Sequence, residues 1–237
     1  MNILVVCQYY FPEPFRIADI CEELVRRGNE VTVVTGVPNY PMGEIYDGYE
    51  RNRRAHEIIN GVNVIRCPIH PRKRGSIHRL WNYYSYPILS KRAIKQLKEK
   101  FDVVFVYQLS PVMMADAGIR YAKKHHIKSV LYCLDLWPAS LNAGGINSGL
   151  IYHWFRRESE KIYRNADRIL ISSRSFASYF HEQFSRDDTL FLPQYAETSF
   201  SPKECKKEPD EYIDFMFAGN VGTMQSVDTV IKAAAVC

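Results

Sequence analysis

The chain of 237 residues is 46% apolar and 24% charged, which is typical of a globular protein and excludes a disordered one. No apolar run approaches the ~18 residues that span a bilayer, and the net charge of +5 is too small for a general polycation. The six cysteines have no metal-binding spacing, which predicts reduced thiols in a cytosolic protein.

Apolar runs alternate with amphipathic stretches along the first 192 residues. The first run, "NILVVCQYY", is typical of a strand buried on both faces. Later strands are predicted at "EVTVVTG", "GVNVIRC", "DVVFVY", "SVLYCL", "RILISS" and "TLFLP". Helices are predicted after Ile17, at 77–99, from Ser110 to His126, at 149–165 and at "SRSFASYFHEQF". This alternation predicts an α/β fold with a Rossmann-like, doubly wound parallel sheet.

A polar stretch with two prolines, "FSPKECKKEPDE", indicates a linker between two domains. After it, "YIDFMFAGNVG" predicts a strand and a glycine-bearing loop, and Ser226 can N-cap an apolar helix that follows. The predicted organisation is therefore one domain over residues 1–205, a linker over 206–211, and the first strand and helix of a second domain over 212–237.

The loops that follow the strands are the candidate functional segments, because ligands of open α/β sheets lie beyond the carboxyl ends of the strands. The loop "QYYFPEPFRI" has no glycine, which argues against a dinucleotide fingerprint. Arg16 lies in the first turn of the next helix, where a cation opposes the helix dipole. A bound anion would offset that cost; the alternative is an exposed arginine paired with Glu13 or Asp19.

The loop "TGVPNYPMG" holds Asn39 and Tyr40 between two prolines that stiffen it. Such a loop suits contact with a sugar or a lipid headgroup, and a simple turn is the alternative. Asp135 ends an apolar strand and is followed by Leu-Trp-Pro. A partly desolvated carboxylate there would accept a proton or a sugar hydroxyl; capping of the next turn is the alternative.

The glycine-bearing loop "FAGNVG" precedes a predicted helix, so its backbone and the helix N-terminus favour a phosphate. A single G-x-x-G spacing is an unspecific motif, although its position after a predicted strand strengthens it.

Residues 70–100 carry nine Lys/Arg and one acidic residue, whereas the rest of the chain is net negative. Aromatic residues are interleaved with these charges. The mixture predicts a contact with an anionic membrane surface through Arg72, Lys73, Arg74, Arg79, Trp81 and Tyr83. A solvated helix face is the alternative. Single-stranded nucleic acid would suit the same mixture but is disfavoured, so no nucleic acid is expected as a partner.

Five motifs together resemble a known family. The segments "ILVVCQYYFPEPFRI", "VVTGVPNYPMGEIYDGY", "VVFVYQLSP", "DLWPASL" and "FAGNVGTMQS" are similar, in order, to retaining glycosyltransferases of family 4, and most to the WbuB/WcaI-type subgroup of O-antigen and capsule assembly. The resemblance implies a GT-B fold of two Rossmann-like domains, the first for the acceptor and the second for the nucleotide-sugar. The chain is then expected to be the N-terminal half plus the start of the donor domain, truncated and inactive alone.

The resemblance also implies a reaction and its residues. A sugar of the N-acetylated hexosamine type would pass, with retention, from a UDP-sugar to a polyprenyl-diphosphate-linked sugar at the inner face of the plasma membrane. No cofactor or metal is expected. Asp135 would position or deprotonate the acceptor hydroxyl. The acceptor-binding residues would be Arg16, Asn39, Tyr40 and Gln108, and the donor-phosphate-binding residues Asn220, Gly222 and Thr223.

Two other functions stay open at this point. A UDP-sugar 2-epimerase has the same fold but needs neither a lipid nor the aromatic basic segment. A non-catalytic fragment would bind only a membrane or a lipid-linked sugar.

Overall fold

A computed structural model describes residues 1–71, 76–196, 214–219, 221 and 225–236. Contacts divide the chain into two units, Met1–Gln194 and Tyr195–Cys237. The predicted linker, 206–211, lies outside the described residues, so the domain boundary at residue 205 stays a prediction.

The first unit is built on an eight-stranded sheet of order β3-β4-β2-β1-β5-β6-β7-β8. Neighbouring strands are parallel except β3, which is antiparallel to β4. The order reverses at β1, as in doubly wound folds, which confirms the predicted fold class. The strands are β1 (Asn2–Val6), β2 (Glu30–Gly36), β3 (His56–Ile59), β4 (Val62–Cys67), β5 (Val103–Gln108), β6 (Lys128–Cys133), β7 (Arg168–Ile171) and β8 (Thr189–Phe191).

Five α-helices belong to the described part of the first unit and one to the second. They are α1 (Ile17–Arg26), α2 (Ser76–Gln96), α3 (Asp116–His125), α4 (Gly149–Asn165), α5 (Phe176–Phe184) and α6 (Val227–Ala234). The helix predicted from Ser110 begins later, because Pro111 is extended and a 3-10 turn, Val112–Ala115, precedes α3. Ser110 donates its hydroxyl to Asp135 instead of capping a helix.

The central strands are buried on both faces, as their unbroken apolar sequences predict. Leu4, Val5 and Val6 of β1 have no exposed surface. Helix α3 lies close to the sheet at Gly118, where an added Cβ would be 3.0 Å from a methyl group of Val6. The four described cysteines, Cys7, Cys21, Cys67 and Cys133, are buried free thiols in this core.

The edge strand β3 was not predicted from the sequence. It forms a hairpin with β4 through Asn60 and Gly61, both at positive φ. Asn-Gly is a strong signal for a two-residue hairpin turn, but the residues before it are too polar to resemble a core strand.

The second unit contains α6, which lies inside the helix predicted from Ser226 to Cys237 but ends at Ala234. Ser226 itself is in the left-handed region and makes no side-chain cap hydrogen bond, so its predicted capping role is wrong. The predicted strand is also wrong where the chain is described: residues 214–219 have no regular secondary structure. A strand needs a hydrogen-bonded neighbour, and the eight strands of the described sheet do not include residues 214–219.

Candidate functional site at the carboxyl edge of the sheet

Glu13 joins the loop after β1 to the loop after β2. Its carboxylate is buried and accepts backbone hydrogen bonds from Asn39 and Tyr40, both at 2.8 Å, and from Tyr10 at 3.2 Å. Three N–H donors from two loops therefore converge on one side chain. Sequence reasoning considered Glu13 only as a partner for Arg16 and missed this role.

The environment of Glu13 makes ionisation of its carboxyl group costly. Burial raises the pKa of Glu13 to about 7, although the three backbone hydrogen bonds and the charge of Arg66 lower it. The group therefore titrates near neutral pH at the junction of the two loops.

Asn39 and Tyr40 lie together at this edge, as predicted, but only Tyr40 presents surface. Asn39 is 1% exposed and donates its side-chain amide to the carbonyl of Val37. The predicted direct contact of Asn39 with an acceptor therefore does not fit, because the side chain holds its own loop. The half-buried ring of Tyr40 packs against Tyr9 and Phe15, with ring centroids 5.7 and 5.2 Å away.

Arg16 precedes the first residue of α1 and forms an ion pair with Asp19 at 2.9 Å. Its side chain is one-quarter exposed. The pairing matches the structural alternative stated for Arg16. Acceptor binding by Arg16 stays a prediction.

Arg66, at the end of β4, ties a third segment to the loop after β1. Its fully buried guanidinium donates to a carboxylate oxygen of Glu57 at 2.7 Å and to the carbonyl of Phe11 at 2.6 Å. It also lies 4.8 Å above the ring of Tyr49. The loop after β1 is thus fixed from two sides, by Glu13 and by Arg66.

Asp135 follows β6 and is held by two hydroxyl groups. Ser110, after β5, donates to one carboxylate oxygen, and Ser140, in the next turn, donates to the other. The indole of Trp137 donates to the Ser110 hydroxyl at 2.8 Å and orients it. Burial raises the pKa of Asp135, against the lowering effect of hydrogen bonds from Ser140, Trp137 and the backbone of Leu136. Asp135 is consequently both anchored and, for a carboxylate, partly desolvated.

Gln108 lies beneath this site. Its side chain is buried, and its amide donates to the carbonyl of Asp135 at 2.9 Å and to that of Leu109 at 2.8 Å. Its carbonyl oxygen accepts from the Tyr163 hydroxyl at 3.3 Å. The predicted acceptor contact by Gln108 does not fit this arrangement, because its polar atoms position the backbone of Asp135.

The residues predicted to contact a membrane differ in their exposure and contacts. Trp81 is 62% exposed on α2, in agreement with a surface role. Tyr83 instead packs edge-on against the buried indole of Trp137, with centroids 5.9 Å apart, so it belongs to the packing of the site rather than to a membrane contact. Arg79 lies within α2. Arg72, Lys73 and Arg74 lie outside the described residues.

The predicted donor-phosphate residues Asn220, Gly222 and Thr223 also lie outside the described residues, so their role stays a prediction. Across the described ranges, no group of three His, Cys, Asp or Glu side chains is arranged to hold a metal ion. None of the described helices is long and apolar enough to cross a membrane.

The fold and the gathered loops define the class of protein: an open, doubly wound α/β domain with its polar site at the carboxyl edge of the sheet. The chain belongs to the family described as "Glycosyl transferase 4-like domain", whose model matches residues 15–193. The resemblance to family 4 glycosyltransferases is thereby confirmed.

One relative is a protein of Escherichia coli (strain K12) described as a colanic acid biosynthesis glycosyl transferase, WcaI. The identity is 23% over 99% of this chain and 62% of the relative. The chain therefore spans about three fifths of the length of that relative.

Two solved structures align with part of this chain. Arabidopsis thaliana UGT89C1 complexed with UDP has a TM-score of 0.48 at 12% identity, over 83% of this chain and 52% of its own. Acinetobacter baumannii MurG has a TM-score of 0.34 at 10% identity, over 84% of this chain and 69% of its own.

Proposed function

We propose that this chain is the acceptor-binding half of a GT-B glycosyltransferase that transfers a sugar to a lipid-linked acceptor. The observation that carries the proposal is the geometry of Asp135, in a chain that belongs to a glycosyltransferase family. A desolvated carboxylate lies at the carboxyl edge of the sheet, anchored by Ser110 and Ser140. That edge is where open α/β sheets bind their ligands.

Asp135 acts on the hydroxyl group of the acceptor. Asp135 is half-buried, so the residue keeps some surface that a substrate hydroxyl can contact. A raised pKa makes the carboxylate a stronger base. Hydrogen bonding to the attacking hydroxyl orients it, and partial proton transfer increases its nucleophilicity as the bond to the sugar forms.

The donor is proposed to be a UDP-sugar of the N-acetylated hexosamine type, transferred with retention of configuration. The barrier to such a transfer is departure of the nucleoside diphosphate from a sugar that becomes oxocarbenium-like. Donors aimed at the diphosphate lower this barrier. Asn220, Gly222 and Thr223 are the proposed residues for that task, and the proposal includes no cofactor beyond the substrate.

The acceptor is proposed to be a polyprenyl-diphosphate-linked sugar, reached from the cytoplasmic side of the inner membrane. Exposed apolar side chains on α2 and α4 support a peripheral membrane contact. Trp81 is 62% exposed, and at the start of α4 Leu150 is 91% and Trp154 43% exposed. The rings of Tyr84 and Trp154 are 5.7 Å apart and join the two helices into one surface. Tryptophan and leucine beside cations favour a membrane interface.

The proposed function is tested by sugar transfer in the full-length protein that carries this chain. We expect Asp135→Asn to lower turnover ~10²–10⁴-fold while the KM for the donor changes little, because a general base contributes on that scale. The control is Asp187→Asn, which changes an exposed carboxylate in the segment after α5 and should leave turnover unchanged. Transfer by Asp135→Asn within a few-fold of wild type would show that Asp135 only caps its turn.

A further inference from the structure

A second concave site lies at the opposite edge of the sheet. A cleft of 720 Å³ is formed by the second half of α2, the turn that follows it, and α3. Its lining includes Phe101 and Ile127, which precede β5 and β6. The cleft is therefore at the amino ends of the strands, away from Asp135. Its volume is in the range of small-molecule sites, about 300–1,000 Å³.

Positive charge dominates the lining of this cleft. The cations are Lys91, Lys95, Lys98, Lys100, Arg120 and Lys124, and Glu99 is the acidic lining residue. Four of them belong to the basic segment 70–100 and lie in the second half of α2 and the turn after it.

The spacing of these cations is unfavourable for the helices themselves. Lys91 and Lys95 are one turn apart on α2, and Arg120 and Lys124 are one turn apart on α3. Like charges at this spacing destabilise a helix by a few tenths of a kcal/mol. In the described part of the chain, Lys95 and Lys124 have no compensation from an ion pair, whereas a bound anion would be attracted by both rows.

Only part of this charge is neutralised inside the protein. Asp116 forms ion pairs with Lys91 and, at 2.8 Å, with Arg120. Burial opposes the ionisation of Asp116, but hydrogen bonds from these two cations outweigh it and lower the pKa of that carboxyl group. By contrast, Lys95, Lys98, Lys100 and Lys124 have no ion pair within the described ranges.

The floor of the cleft is apolar. Ile94, Phe101 and Ala117 are buried beneath the cations. At one side the ring of Tyr121 stacks on His125, with centroids 4.2 Å apart, and meets Phe101 edge-on at 6.0 Å. A ligand that fits both the apolar floor and the cations around it therefore carries an organic part and several negative charges.

We propose that this cleft binds a small molecule bearing two or more phosphate groups, at a site separate from the site of sugar transfer. Lysine ammonium groups bind phosphate as point charges, and several of them favour a ligand with more than one phosphate. The concave shape of the cleft suits a small ligand better than a flat surface such as a membrane. The apolar floor would contact the organic part of that ligand, to which the phosphates are attached.

Calorimetry with inorganic tripolyphosphate and with ATP tests the proposal. The variant is Lys95→Gln, Lys98→Gln and Lys124→Gln combined. The control is Arg53→Gln, Arg156→Gln and Arg157→Gln, which removes the same charge from exposed positions outside the cleft. We expect both ligands to bind wild type and control alike, and the cleft variant about tenfold more weakly or worse. Tighter binding of ATP than of tripolyphosphate would show that the organic part contributes.

Two outcomes overturn the proposal. If neither ligand binds the wild type at millimolar concentration, the cleft is not a phosphate site. If the cleft variant and the control lose affinity equally, the binding reflects net charge alone.

Cosedimentation with vesicles of phosphatidic acid distinguishes a soluble phosphate ligand from a lipid headgroup. Equal sedimentation of wild type and cleft variant assigns the site to a soluble ligand. Selective loss of sedimentation by the cleft variant assigns it to a lipid headgroup.

Discussion

The carboxylate of Glu13 accepts a hydrogen bond from the backbone N–H of Asn39 at 2.8 Å, across 26 residues of sequence. This bond links the loop after β1 to the loop after β2, at the edge of the sheet that holds Asp135. The relative position of the two loops is therefore set by a side chain rather than by the sheet alone. Glu13 is a positioning residue.

The first prediction is that Glu13→Gln destabilises the protein below pH 4.5, where Glu13 is protonated and the wild type carries no buried charge at this position. A glutamine amide has the same shape, but its NH₂ group cannot accept the hydrogen bond from the N–H of Tyr10. A buried donor left without its partner costs ~1–3 kcal/mol. The free energy of unfolding in urea measures the effect. Glu160→Gln, on the exposed face of α4, is the matched control and should change stability by less than ~0.5 kcal/mol.

The second prediction concerns the pH dependence of stability. The pKa of Glu13 is about 7 in the folded protein, above its usual value of 4.5. The folded state therefore binds more protons than the unfolded state between these values, and stability falls as pH rises through this window. At 1.36 kcal/mol per pKa unit the change is on the order of 3 kcal/mol. Glu13→Gln should lose this slope; parallel stability curves for the two proteins would contradict it.

The third prediction is that Gly36→Ala destabilises the junction of β2 with its loop. A Cβ at this position would lie 2.8 Å from the Cδ1 of Ile69 and 2.9 Å from the backbone oxygen of Gln8. Overpacking of this kind costs ~1–3 kcal/mol. Thermal unfolding of Gly36→Ala with and without Ile69→Val tests the cause. Rescue should be partial, because the oxygen of Gln8 belongs to the backbone; full rescue would assign the whole clash to Ile69.

The fourth prediction compares two arginines that pair with the same carboxylate. Arg66 is buried and 2.7 Å from Glu57, whereas Arg54 is 57% exposed and 4.0 Å away. Losing one partner of a buried pair costs ~3–5 kcal/mol, whereas an exposed pair contributes less than ~1 kcal/mol. Arg66→Met should therefore destabilise the protein strongly and Arg54→Met only slightly in urea unfolding. Similar losses would mean that Arg66 has no special structural role.

The fifth prediction is that the exposed apolar surface of α2 and α4 binds anionic membranes. Trp81→Ser, Leu150→Ser and Trp154→Ser combined should reduce cosedimentation with liposomes that contain phosphatidylglycerol. The control combines Met42→Ser, Ile58→Ser and Leu190→Ser, which are comparably exposed apolar residues elsewhere. Changing Arg72, Lys73, Arg74 and Arg79 to serine should weaken the binding mainly at low salt, because salt screens exposed charges. Equal binding by all variants would argue against a membrane contact at this surface.

The strands and helices of the first unit were largely predictable from the sequence, because burial on both faces requires unbroken apolar runs such as that of β1. The strand β3 was not, because an edge strand half exposed to solvent has a mixed sequence. The segment before α6 shows the reverse case, a sequence typical of a strand in residues that form none. Its apolar residues suit a strand, but Phe215 and Met216 are almost fully exposed and do not pair with any described strand.

The site was predictable in position but not in the roles of its residues. Asp135 was found because a carboxylate beside an indole at the end of an apolar strand can be partly desolvated. Glu13 was missed, since the sequence gives no sign that backbone donors 26 residues away converge on it. Asn39 and Gln108 were assigned to the surface of the site, yet both are buried. The sequence places polar residues after strands, while packing decides which of them face a ligand.

The double attachment of the loop after β1, through Glu13 and Arg66, bears on the thermodynamics of ligand binding. Ordering a mobile loop on association costs about 0.5–1.5 kcal/mol for each side chain that becomes immobilised. A loop already fixed by buried hydrogen bonds avoids most of that cost, so small polar contacts with a sugar suffice for measurable affinity. For the proposed acceptor, we therefore expect selectivity to depend on the few side chains that remain at the surface, Tyr40 and Arg16 among them. Substitutions there should change the preferred acceptor without unfolding the edge of the sheet.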